Sequence, residues 1–154
     1  MKELRDQLVK LLDWQEAHVN LENAISDLPT EYRNRKGEQV PYSVWELLEH
    51  LRITQWDILE FSRDPSHQSP DWPDGYWPPE PVKSEQQWQE TLEKYYNDLE
   101  SFKQLVADTN QDLFTPFAHG SGQTLFREVI LLADHTAYHT GQIVTVRKIL
   151  GIWS

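Results

Sequence analysis

The chain has no cysteine. That excludes disulfides, thiolate metal ligands, a cysteine nucleophile and thiol redox switching, so any bound metal must be held by His, Asp or Glu. No apolar run is long enough for a membrane span, and none is expected. The opening residues Met1-Lys2-Glu3-Leu4-Arg5-Asp6 mix charges and lack an apolar h-region, so no secretory signal is expected and the chain reads as cytoplasmic. Basic residues are scarce, with 14 Lys and Arg against 25 Asp and Glu and a net charge of −11. Without clustered Lys and Arg, nucleic acid is a poor partner. There is no Gly-rich phosphate loop and no acidic calcium loop, and no Ser-His-Asp triad can be argued from sequence alone.

What remains is a chain of 154 residues, 38% hydrophobic and 25% charged, which fits one globular domain rather than a disordered segment. Its apolar positions predict four helices and no strand. The first runs from about Lys2 to Leu28 on Leu4, Leu8, Leu11, Leu12, Val19 and Ile25, and Pro29 ends it. The second opens at Ser43-Val44-Trp45-Glu46, an S-x-x-E capping box, and continues through Leu47, Leu48, Leu51, Ile58 and Phe61 to Asp64-Pro65. The third begins at Ser84-Glu85-Gln86-Gln87 and carries one stripe of Trp88, Leu92, Tyr95, Leu99, Phe102 and Val106. The fourth spans from near Gly122-Gln123-Thr124 to Leu150, with Gly151 placed to close it.

Two connections are long. Residues 29–42 read as a surface loop, while residues 63–83 hold six of the nine prolines together with Trp72, Tyr76 and Trp77. About 20 extended residues reach up to roughly 66 Å, twice the ~30 Å length of a 20-residue helix. The second connection can therefore cross the whole bundle, allowing helices two and three to run parallel in an up-down-down-up order. Its aromatic rings call for burial against one side or mouth of the bundle.

The six histidines carry the chemistry. His135 and His139, in His135-Thr136-Ala137-Tyr138-His139, lie four residues apart on one helix face, shared with Leu131, Leu132, Gln142, Val146 and Leu150. Two imidazoles stacked on an apolar face need a partner for their lone pairs. A divalent metal and a hydrogen-bonded core pair both supply one. His50 lies near the middle of the second helix, at the level of His135 in the fourth. Three nitrogens from two helices would leave coordination positions open, as in catalytic sites. His18 falls on the apolar face of the first helix and reads as a fourth ligand, a general base or a core histidine. Glu128 is a candidate acceptor for a ring N–H or a partner of Arg127. Gln142 and Tyr138 are placed to touch substrate, Asp57 reads as surface-facing, His119 as lining an entrance and His67 as a solvated loop residue.

Ser43-Val44-Trp45-Glu46-Leu47-Leu48-Glu49-His50-Leu51, followed late in the chain by Asp134-His135-Thr136-Ala137-Tyr138-His139-Thr140-Gly141-Gln142-Ile143, resembles the DinB/YfiT-like superfamily. The resemblance covers essentially the whole chain. It implies an up-down-down-up four-helix bundle, often dimeric, with a nickel, zinc or similar ion, iron and manganese being further candidates, held by His50, His135 and His139. Characterised members of that superfamily include transferases and isomerases that use small thiols. Two functions are therefore expected. One is a metal-dependent enzyme that activates a thiol or water for transfer to a small-molecule substrate or for hydrolysis, with Gln142, His18 and Tyr138 orienting the substrate. The other is a non-catalytic metal-binding or interaction bundle. The fourth helix is apolar all round, with Phe126, Ile130, Ala133, Ala137 and Val144 on its back, and Trp45 and Trp56 fall on the outward side of the second. These faces predict a homodimer or cover by the long connection.

Overall fold

The structure is a computed structural model that describes residues 1–14 and 16–153. Among the described residues it is all-helical, with five helices and no strand beyond one isolated bridge between Lys36 and Ser43. The helices are α1 (Lys2–Leu11), α2 (Leu21–Ile25), α3 (Val44–Arg63), α4 (Glu85–Ala107) and α5 (Leu125–Ile149). None is long and apolar enough to cross a membrane.

The three long helices start where their caps predict. At α3, Ser43 Oγ accepts from Glu46 N at 3.2 Å while Ser43 N donates to Glu46 Oε2 at 2.7 Å, a complete capping box. Ser84 caps α4 by accepting from Gln87 N at 3.1 Å, but Gln87 Oε1 reaches back to Lys83 N instead of Ser84 N. Thr124 caps α5 by accepting from Arg127 N. Gly151, at φ +70°, closes α5, with its N–H donating to the Lys148 carbonyl.

The first predicted helix is two. Its chain leaves α1 after Leu11 and restarts at α2, where Asn20 Oδ1 accepts from Asn23 N at 3.0 Å. An asparagine is more stabilising as an N-cap than inside a helix, and here it marks a new start within a sequence of good helix formers. α2 ends at Ser26, and Asp27 takes φ +51° before Pro29 is reached.

α3 packs along both α4 and α5, α1 lies on α4 and α2 on α5. The core between them is built from Leu47, Leu48, Leu51, Phe102, Val106, Val129 and Ile143, all under 2% exposed. Buried arginines tie chain ends to this core through carbonyls. Arg147 Nη1 donates to Ala24 and Ser26, both at 2.8 Å, and Arg5 Nη1 to Val106 at 2.6 Å.

The connection between α3 and α4 packs along α3, against Asp57, His50 and Trp45. Trp45, expected on an outward face, is 2% exposed because this connection covers it, and its Nε1–H donates to the Glu80 carbonyl at 2.9 Å. Trp56 meets the edge of His67, with ring centroids 5.1 Å apart. Of the three rings expected to be buried, Tyr76 and Trp77 are half-buried, whereas Trp72 is 77% exposed.

Candidate metal centre

His50 lies on the inner face of α3, seven residues past the Ser43 cap, and His135 and His139 lie one turn apart on α5. The packing of α3 on α5 brings the three rings together, with centroids 4.5 to 4.9 Å apart. One ligating nitrogen from each lies within 4.8 Å of the other two.

Hydrogen bonds assign the ring tautomers. His50 Nδ1–H donates to the Tyr76 carbonyl at 2.8 Å, and His139 Nδ1–H donates to Gln142 Oε1 at 2.6 Å. Both acceptors require the proton on Nδ1, which leaves a lone pair on each Nε2. His135 Nε2 stands 3.1 Å from His50 Nε2, while its Nδ1 is buried with no partner. With the His135 proton on Nδ1, two lone pairs face each other and a buried N–H goes unmatched. With the proton on Nε2, a buried lone pair is orphaned instead. A cation between the Nε2 atoms removes the repulsion. Nitrogens about 2.05 Å from a tetrahedral ion stand ~3.3 Å apart, close to the separation found. The residues present therefore fit a divalent metal.

The rings are also kept neutral. Burial lowers the pKa of His135 to about 3, with His139 and His50 adding like-charge opposition. Burial likewise lowers His50, against the pull of the Tyr76 carbonyl, and His139, against that of Gln142. Neutral imidazole is the form that binds metal.

Trp77 stacks flat on His50, centroids 4.0 Å apart and planes at 5°; it also stacks on Tyr42 at 4.3 Å and meets His139 edge-on at 6.4 Å. Beside the imidazoles lies a cavity of about 290 Å³ bordered by Trp72, Trp77, Leu131, Asp134 and Tyr138. No Lys or Arg lines it among the described residues.

A family model of the DinB superfamily matches residues 13–143. The chain belongs to the DinB superfamily. No curated protein and no solved structure matches it. The three histidines that the DinB resemblance pointed to are the three the fold brings together.

Other candidates stand elsewhere. His18 is not within a helix but in the exposed segment between α1 and α2, where its Nδ1 meets the Val19 carbonyl at 2.8 Å; the break of the first helix removed it from the core. His119 donates from Nε2 to the Phe61 carbonyl at 2.8 Å and holds the loop before α5 against the end of α3. Glu128 is 2% exposed and pairs with Arg127 at 2.7 Å, and burial raises its pKa. Gln142 orients His139 and donates from Nε2 to the Tyr138 hydroxyl at 3.3 Å, so it sits behind the imidazole and not in the cavity. Tyr138 borders the mouth and is 63% exposed.

Asp57 and His67 overturn the surface reading. Their side chains are 13% and 9% exposed, and the His67 Nε2–H donates to Asp57 Oδ1 at 2.7 Å. Asp57 Oδ2 accepts from the Tyr76 hydroxyl at 2.7 Å, so one carboxylate anchors the residue whose carbonyl orients His50. The sequence reading missed Tyr76 and Trp77 as site residues. Two aromatics beside each other in a proline-rich connection were the available signal.

Proposed function

We propose that the chain is a metal-dependent enzyme whose three-histidine centre activates a small nucleophile, a thiol or a water, toward a small-molecule substrate. The observation that carries this reading is the 3.1 Å approach of His50 Nε2 and His135 Nε2, with the Nδ1–H groups of His50 and His139 already committed to oxygens. A divalent ion bound by three imidazoles acts as a Lewis acid that lowers the pKa of such a nucleophile at an open coordination position. The chain's own groups do the rest. Tyr76 and Gln142 hold two rings with Nε2 turned inward, Trp77 covers His50, and the cavity of about 290 Å³ admits a small molecule. Tyr138, whose oxygen accepts from Gln142, keeps its O–H free to donate to a bound substrate at the mouth. His18 has no part in this reading.

The bundle belongs to the same proposal. With α1 and α2 taken together as one broken first helix, that unit packs on α4 and α5, and α3 packs on the same two. This ring order supports the up-down-down-up arrangement. A homodimer completes the reading, and light scattering at micromolar concentration tests it.

The metal itself is tested by elemental analysis of the purified protein beside His135→Ala. One equivalent in the wild type and less than a tenth in the variant are expected, because one of three donors is gone. Equal content in both removes the ligand assignment. Gln142→Ala should keep the metal but bind it about tenfold more weakly, the usual effect of removing a group that orients a ligand. A small thiol added to cobalt-substituted protein should change its visible spectrum. An unchanged spectrum favours a closed, structural ion.

A further inference from the structure

On the opposite side of α5 from the imidazoles lies a larger cavity, of about 800 Å³, enclosed by the segment around Trp14, by α4 and by α5. This is within the ~300–1,000 Å³ range of small-molecule sites. Its walls are apolar, formed by Leu11, Leu21, Leu99, Ile130, Ala133 and Ala137. None of the three imidazoles lines it. The apolar back of α5 that predicted a partner is thus in large part the wall of a cavity.

Two further observations define what the cavity would take. Thr140 lines it, is 2% exposed, and its Oγ1 is buried without a hydrogen-bond partner. Thr145, on the same helix, satisfies its hydroxyl on the Gly141 carbonyl at 2.8 Å, so Thr140 lacks even the bond that a helical threonine ordinarily makes. A buried hydroxyl left unmatched is costly, and a ligand group that pairs with it recovers that cost. The second observation is charge. Asp13, Glu22, Glu100 and Asp134 line the cavity, and the only Lys or Arg among the described lining residues, Lys103, is engaged by Asp13. The local field is negative enough that Glu22 and Asp13 add to burial in raising the Tyr96 phenol to about 12.

We propose that this cavity is a second small-molecule site, separate from the histidine centre, that binds an apolar amine. Its alkyl or aryl body lies against the apolar walls, its N–H donates to Thr140 Oγ1, and its positive charge is matched by the acidic lining and by the faces of Trp14 and Tyr96. A carboxylate of the same shape is disfavoured, since its charge meets four acids, of which only Asp13 and Glu100 share the single cation Lys103. Because Ala133, Thr136, Ala137 and Thr140 alternate along α5 with His135 and His139, the two sites share one helix.

The test uses three molecules with one body, 4-phenylbutylamine, 4-phenylbutanol and 4-phenylbutyrate, titrated calorimetrically into the metal-loaded protein. The amine is expected to bind at least tenfold more tightly than the alcohol, with no measurable binding of the carboxylate. Thr140→Val should weaken the amine about tenfold without changing metal content and without lowering the thermal midpoint. Ala133→Phe, which fills the cavity, should abolish binding. His135→Ala should retain it, which separates this site from ligation of the amine at the histidine centre and makes the result independent of the proposed enzymatic reading. The proposal is overturned if the carboxylate binds as well as the amine, or if none of the three binds. It is equally overturned if binding is lost in His135→Ala while Thr140→Val binds like wild type, or if the chain is a dimer whose interface shields Tyr96 and leaves no room for a ligand.

Discussion

Two stretches between the α-helices border the bundle, and their described residues are held very differently. The connection of residues 64–84 and the segment of residues 12–20 both carry tryptophan and both lie over a cavity. In the first, backbone carbonyls are taken by two buried side chains of α3 and by Asn34 of the connection before it. Tyr76 accepts from His50, Glu80 from Trp45, and Val82 from Asn34, which also accepts from Val82 N. In the second, the side-chain bonds described are the Lys103–Asp13 pair, the bond from His18 to its neighbour Val19 and the Asn20 cap of α2; Leu12 is buried, but Trp14 stays 46% exposed. Aromatic content alone therefore does not pin a chain. What separates the two is whether the helices offer donors to backbone groups that would otherwise be buried unmet. The tightly held stretch completes the histidine centre, and the loosely held one borders the amine cavity.

Acid should break the comparison most strongly, by attacking only the histidine side. With its pKa lowered to about 3 from 6.5, His135 binds fewer protons folded than unfolded throughout that window. Stability then rises with pH between those values and falls as pH is lowered, by up to ~1.4 kcal/mol per pH unit for this one proton. Metal-free protein should lose about 3 kcal/mol from this group between pH 6.5 and 4. His50 and His139, also lowered by burial, act in the same direction. Urea unfolding of the wild type beside His135→Ala isolates the contribution. Parallel pH dependence in the two proteins would show that this imidazole is not the buried neutral group described.

A smaller effect should come from Asp57→Ala, which leaves the Tyr76 hydroxyl and His67 without their shared acceptor. Breaking a partly buried pair of this kind costs about 2 kcal/mol. Limited proteolysis should cut the variant within residues 64–84, and metal affinity should drop with stability because Tyr76 also orients His50. Asp13→Ala, the matching change in the other stretch, removes an exposed pair worth under ~1 kcal/mol. Equal losses in the two variants would erase the distinction between the regions.

Much of this was legible in the sequence, for identifiable reasons. α3, α4 and α5 announce themselves because a side-chain cap precedes an apolar stripe at helical spacing. The histidine trio was legible because four-residue spacing stacks His135 on His139 and His50 lies at a matching level of a neighbouring helix. The break in the first helix was not, since Glu16 and Ala17 favour helix and only Asn20 signals a restart. Nor were Asp57 and His67, because no periodicity relates a residue in a connection to the helix face it lands on. The Tyr76 carbonyl is a backbone group that any residue would supply, so its role as the acceptor for His50 leaves no mark on the sequence.

The smallest expected effect, that of Trp14→Ala, belongs to the sharpest comparison, because the same substitution can be made in both stretches. Trp77 lies flat between His50 and Tyr42, so Trp77→Ala removes two stacked faces and should cost about 2 kcal/mol. Trp14 is 46% exposed, so Trp14→Ala should change stability by less than ~0.5 kcal/mol. Urea midpoints at pH 7 give both numbers, and metal content should fall only for Trp77→Ala. If Trp14→Ala proved as damaging as Trp77→Ala, Trp14 would have to be packed into the cavity it borders. The segment of residues 12–20 would then be a plug, and the space assigned to an amine would already be filled by the chain itself.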